Sequence, residues 1–267
     1  MIELVRRIEG CTYAQAGLHL QRLAGRDCPL PPVRDGHRQI SAEIQPGALA
    51  DEPGFRPFRS TIPLDPCCPF LQQAKAITPA TATAFEAGLP DQRSAFLRGT
   101  VAVRLHDLQG NPLGYCERRL EPTEIQRYGK WKFPRSFPKA GTLYNAHRAL
   151  SVRQHGLVIV ECPWAVMRLA QAGIRAAVAL LGTTVSPVQA DWLARASAVL
   201  LLLDGDHAGR KAAPFIAGAL APTTKVHVHE LPDGLEPEDL PDHDLRAIVM
   251  GYLPFSLNQY ALQRGDR

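Results

Sequence analysis

Residues 198–212, AVLLLLDGDHAGRKA, constrain the fold more than any other stretch of the chain. The apolar run from Ala198 to Leu203 is too short and too continuous for a surface helix. It fits a strand covered on both faces, the usual state in a parallel sheet. Asp204 and Asp206 then fall at the carboxyl end of that strand, the edge at which open α/β sheets bind their ligands. Two like charges this close repel unless a cation neutralises them, and Mg²⁺ is a hard ion that prefers oxygen ligands. The competing structural reading is that Asp-Gly here makes a turn and nothing more.

The flanking sequence repeats the same unit. LVIV (157–160) reads as a strand ending in Glu161, Pro163 to Ala172 as a helix, and AAVALL (176–181) as the next strand. Gly182-Thr183-Thr184 is a loop, Ser186-Pro187 opens a helix through Ala196, His207 to Leu220 is helical, and Lys225 to Glu230 is a fourth strand. Strict alternation predicts a parallel sheet with right-handed crossovers and helices on both faces. That sheet would bring Glu161, Asp204 and Asp206 to one edge, where Glu236 and Glu238 leave the fourth strand. Residues 230–244 hold seven acids and no Lys or Arg. Carboxylates converging at one rim make sense mainly around divalent metal, which points to phosphoryl transfer.

Upstream the character changes. Residues 26–64 are rich in proline and glycine and read as a linker; before them, residues 1–25 carry apolar positions at helical spacing, with Thr12 capping the second of two short helices. Cys68 to Leu89 reads as helix, turn, helix, with Thr78-Pro79 opening the second. Phe96 to Leu120 alternates about a Gln109-Gly110-Asn111 turn, as a β-hairpin does. From Arg118 to Arg153 there are nine Lys or Arg against two acids, interleaved with Tyr128, Trp131, Phe133, Phe137 and Tyr144. Basic residues with aromatic faces suit single-stranded nucleic acid; a solvated loop over ordinary core aromatics is the alternative.

The expected organisation is a helical segment (1–25), a linker (26–64), a basic α+β subdomain (65–155), the α/β domain (156–245) and a helical tail (246–267). The net charge of +4 permits nucleic acid as a partner without demanding it. The absence of a membrane-length apolar run or a signal-peptide core makes a cytoplasmic protein the expectation. Six cysteines without a CxxC pair write neither a zinc ribbon nor a disulfide framework. His227 and His229 alternate along a strand without an evident third ligand and are read as structural.

Glu161 after one strand, Asp204-Gly205-Asp206-His207-Ala208-Gly209-Arg210 after another, and LGTTVSPVQADWLAR between them resemble the Toprim domain of DnaG-type bacterial primases. PFLQQAKAITPATATAFEAGL, QGNPLGYCERRL and YGKWKFPRSFPKAGTLYNAHRA follow the order of that family's basic subdomain, so the likeness covers about residues 65–245. It implies a metal-dependent nucleotidyl transfer, RNA primer synthesis on single-stranded DNA from nucleoside triphosphates, with a 3′-hydroxyl attacking an α-phosphate. Glu161, Asp204 and Asp206 would be catalytic and would hold Mg²⁺ or Mn²⁺ together with Glu236 and Glu238. Arg118, Lys130, Trp131, Lys132, Lys139 and Arg210 would meet template strand and nucleotide phosphates. No zinc site is expected in this chain, nor a membrane partner; a zinc-ribbon or helicase protein on another chain is the implied partner, unless the true start lies upstream of Met1. Two departures stand out: Cys162 replaces the family's glycine after the glutamate, and Ala165 replaces its supporting aspartate. With no zinc ribbon or helicase-binding domain evident, the likeness suggests a reduced primase of a mobile element. A Toprim-type nuclease and a catalytically silent nucleic-acid-binding subunit are the alternatives.

Overall fold

The computed structural model describes residues 54–91 and 99–253. The N-terminal helices, most of the linker, and the tail beyond Leu253 lie outside the described residues.

Five short strands form an antiparallel sheet in the order β1 (Leu64–Asp65), β2 (Ala87–Pro90), β3 (Thr100–His106), β4 (Pro112–Arg119), β5 (Trp131–Lys132). The expected hairpin is β3 and β4, with Val103 opposite Cys116. Its turn is held by the Asp107 carboxylate, which accepts from the backbone N–H of Gln109 (2.9 Å) and Asn111 (2.8 Å). Val101, Val103 and Leu105 point into the main core, whereas Ala102 and Arg104 face the other way and need a separate cover. Residues 55–64 supply it. Arg104, 1% exposed, donates to the carbonyls of Ser60 (2.6 Å) and Arg59 (2.7 Å), and Ile62 and Leu64 pack on Ala102 and Tyr115. The described end of the expected linker, with Pro57 and Pro63, is therefore an extended, packed segment.

The segment from Cys68 to Leu89 differs from the expected helix pair. Its first half is a single π-helical turn, Phe70–Ala74, and its second is the helix α1 (Pro79–Ala84), capped by Thr78 Oγ1 accepting from the Thr81 N–H at 3.2 Å. The chain then turns through Glu86 at φ 51° into β2. Gly88 explains why this stretch becomes a strand, since a Cβ there would lie 2.5 Å from the Asp65 carbonyl oxygen. Close backbone pairing with β1 outweighs the helical spacing of the preceding alanines. The short helix α2 (Pro122–Tyr128) joins β4 to β5, and α3 (Ala146–Ala149) leads into the second sheet.

The second sheet is parallel, in the order β7 (Ala177–Ala179), β6 (Leu157–Val160), β8 (Ala198–Leu201), β9 (Lys225–Val228). Alternate residues of the same strands enter two different cores. Val158, Val160, Ala177, Ala179 and Leu200 pack with α4 (Pro163–Gln171) and α7 (Asp242–Tyr252). Leu157, Ile159, Val178, Val199 and Leu201 pack with α5 (Pro187–Leu193) and α6 (His207–Leu220). Helices thus cover both faces, as the continuous apolar strands required. The first of these cores also takes in Leu71, Ile77, Val101, Val103 and Leu105 of the antiparallel part. The two halves share one apolar interior, with Trp164 on α4 near its centre (2% exposed).

Candidate active site

Glu161 leaves β6 and Asp204 leaves β8, and because these strands are parallel neighbours both carboxylates arrive at one edge. Glu161 Oε1 accepts from the Asp204 N–H at 3.2 Å. Asp206 is the N-cap of α6, its Oδ1 accepting from the Gly209 N–H at 2.8 Å. The two glycines permit this crowding. A Cβ on Gly209 would lie 2.2 Å from the Asp204 carbonyl oxygen and 2.8 Å from Glu161 Oε1, and one on Gly205 would lie 2.1 Å from the Pro232 carbonyl oxygen.

Burial pushes the Glu161 carboxyl up to about 7, with the backbone donor of Asp204 opposing and Asp206 adding to the shift. Burial likewise pushes Asp204 up to about 7, helped by the charge of Glu161. Asp204 Oδ1 is buried and has no hydrogen-bond partner, a rare and costly condition for a carboxylate oxygen. These features fit a divalent cation: an orphaned hard oxygen, a second carboxylate beside it, and mutual repulsion that such a charge would remove. Among the described residues no three His, Cys, Asp or Glu side chains already converge as a metal cage. Glu161 leans on a backbone N–H and Asp206 on the helix start.

Glu236 and Glu238 reach the same rim, but there they meet a lysine that the sequence did not single out. Lys75 Nζ lies 2.5 Å from Glu236 Oε2 and 2.9 Å from Glu238 Oε1. Burial opposes the Lys75 charge, yet Glu238 and Glu236 more than offset it and raise its pKa. Burial would raise Glu236 too, but Lys75 holds it below the usual range. The Glu238 side chain is 1% exposed, and burial pushes its carboxyl up to about 7. One ammonium serves two carboxylates, so where a proton is held it sits on the enclosed Glu238. Cys162 Sγ is 3.5 Å from Glu238 Oε1, and Arg168 of α4 donates to the Glu238 and Leu240 carbonyls while pairing with Asp242 at 2.8 Å. Glu236 and Glu238, expected among the metal ligands, are thus tied to Lys75 in this structure, one ammonium shared between two carboxylates.

Facing the Glu161 and Asp204 pair across an open cleft of about 190 Å³ are Lys130, Trp131 and Phe133 of the antiparallel half. Lys130 is largely exposed, 3.9 Å from Glu236 Oε1. Lys139 stands over the Phe133 ring (4.9 Å) and beside Gly182, two residues that line this cleft, while itself lining a neighbouring pocket, and burial lowers its pKa. Arg118 lies over the Phe70 ring (5.8 Å). Two expected contacts are otherwise engaged: Lys132 pairs with Glu117 at 2.9 Å, and Arg210 pairs with Asp233 and approaches the Leu231 carbonyl. Of the interleaved aromatics, Tyr144 is buried, Phe133 and Phe137 stack on each other, and Trp131 leans on Trp164 at 5.2 Å. Tyr128 alone of these is an exposed large ring, at 53%. His227 and His229 both lie against the Tyr252 ring, a packing role.

The family model of the Toprim domain matches residues 156–231, from the start of β6 to just past β9. Residues 156–231 are a Toprim domain. Beyond it, the chain is 32% identical over 151 residues to a DNA primase of Aquifex aeolicus, covering 55% of this chain and 30% of that protein. It is 38% identical over 110 residues to a DNA primase of Rickettsia felis, covering 39% and 18%. The chain therefore spans less than a third of the length of these curated relatives. Among solved structures, the zinc-binding and RNA polymerase domains of the Aquifex aeolicus primase align over 94% of this chain and 70% of theirs, with a TM-score of 0.58 at 21% identity. A DnaG primase catalytic domain bound to single-stranded DNA aligns over 72% of this chain and 73% of its own, with a TM-score of 0.56 at 22% identity. The Toprim domain and the antiparallel half together have the fold of a DnaG-type primase core.

Proposed function

We propose that the chain is a metal-dependent nucleotidyltransferase of the DNA primase type, making RNA primers on single-stranded DNA from nucleoside triphosphates in the cytoplasm. The observation that carries this reading is the partnerless buried oxygen of Asp204, set beside Glu161 at the rim of the Toprim sheet and opposite a basic, aromatic wall. Glu161, Asp204 and Asp206 would hold Mg²⁺ or Mn²⁺, which supplies charge neutralisation for phosphoryl oxygens and lowers the pKa of a bound hydroxyl. Lys130 and Lys139 line the approach and attract the phosphates of strand and triphosphate. Trp131, braced against Trp164, fixes that wall in place, and Tyr128 offers a face on which an unpaired base can stack. The Gly205 and Gly209 positions keep side chains out of the space between the two loops, so Asp204 stays aimed at the cleft. Ala165 is fully buried in α4 and contributes no carboxylate, so the three acids act without that support.

Primer synthesis on single-stranded DNA, with Mg²⁺ or Mn²⁺ and labelled ribonucleotides beside an Asp204→Asn control, tests the reading. Labelled products that vanish in the control are expected. Cleavage of the template instead would mark a Toprim-type nuclease, and DNA binding with neither product would mark a silent subunit.

A further inference from the structure

We propose that Lys75 occupies the place a second divalent ion would fill, so that the acidic rim takes one divalent ion, at Glu161, Asp204 and Asp206, and not two. This rests on the reading of the rim as a metal centre. Lys75 follows the π-helical turn Phe70–Ala74, and its side chain is only 13% exposed. Two of its three donors go to separate carboxylates, Glu236 at 2.5 Å and Glu238 at 2.9 Å, as a cation bridging two anions would be placed. Glu238 is shut in further by the Cys162 thiol, and Arg168 fixes the backbone that carries it.

An ion entering between these glutamates would have to expel a buried ammonium and leave it without a counter-ion, a costly state in a low-dielectric interior. The other half of the rim is opposite in kind, since Asp204 Oδ1 is buried with no partner at all. Five acids are thus divided into a pair served by a resident cation and a set still lacking one. Lys75 comes from the antiparallel half and the glutamates follow the Toprim sheet, so it also positions the acidic segment against the cleft.

Calorimetric titration of Mn²⁺ into the full chain at pH 8 decides the matter. One ion per chain is expected, lost in Asp204→Asn. Glu236→Gln is expected to keep that one ion with its affinity little changed, and folded Lys75→Met is expected to take up a second. Two ions per wild-type chain, a loss of roughly tenfold or more in affinity in Glu236→Gln, or a folded Lys75→Met that gains no ion would each overturn the inference. Two ions would leave the metal-centre reading standing, whereas no ion in the wild type would overturn both. Should Lys75→Met fail to fold, the wild-type count and Glu236→Gln still decide.

Discussion

Replacing Asp204 by Asn keeps the size of the side chain but removes the charge that the partnerless oxygen carries. Mn²⁺ affinity and primer synthesis are each expected to fall about 100-fold or more, since even changes to groups behind metal ligands cost roughly 10–100-fold. Protonation should mimic the substitution. Glu161 and Asp204 hold their protons up to about 7, so affinity for Mn²⁺ is expected to weaken as pH falls through that value, read by titration at pH 8 and pH 6. Because these folded values lie above those of the free carboxyls, the contribution of these two groups to the stability of the metal-free protein falls as pH rises from about 4 to 7, and added Mn²⁺ should raise its melting temperature more at pH 8 than at pH 5.5. Gly209→Ala places a methyl 2.2 Å from the Asp204 carbonyl and should cost roughly 1–3 kcal/mol in urea denaturation while moving Asp204. The aspartates and Glu161 were legible in the sequence because each ends an apolar strand. Lys75 was not, for its contact with Glu236 spans 161 positions and no local pattern marks it.

At the level of single elements, legibility followed capping and backbone demands. The helix at 207–220 was readable to the residue because Asp206 caps it, and the start of α5 because Ser186 and Gln189 form a reciprocal capping box, whereas its end falls at Leu193, short of the expected Ala196. Ser186→Ala is expected to cost about 1 kcal/mol, measured by urea denaturation. The helix expected through Leu89 failed since its end depends on pairing with a strand that composition had hidden in a linker. The end of β3, where it meets α3, carries a pH response of its own. His106 and His147 lie with ring centres 4.6 Å apart, and burial, followed by the charge of Arg148, lowers each to about 4. His106 therefore meets Glu86 at 3.0 Å as a neutral ring, not as an ion pair. An unfolded histidine titrates near ~6.5, so the unfolded chain binds more protons between the two values. The stability these two rings contribute is present above about 6.5 and is lost as pH falls towards 4, so His147→Phe should raise the urea midpoint at pH 5 relative to that at pH 7 when compared with the wild type.

Across the whole molecule, one apolar interior joins the Toprim domain to the antiparallel half, and the cleft is formed where their edges meet. Strand alternation announced the parallel sheet, because continuous apolar runs can be satisfied only between two helical layers. The shared core was not legible, since the contacts of Trp164 with Phe70 and Trp131 join residues far apart in sequence. Trp164→Ala should cost roughly 3–5 kcal/mol and loosen the wall opposite Asp204, lowering primer synthesis more than the Ser186→Ala change does. A divalent cation between Glu161 and Asp204 would be visible in crystals soaked in Mn²⁺. Anomalous density against Asp204 Oδ1, with Glu161 turned to share it and Lys75 still between Glu236 and Glu238, is the result expected. Density elsewhere, or none, with Asp204 Oδ1 hydrogen-bonded to a protein donor, would mean that these acids hold no metal.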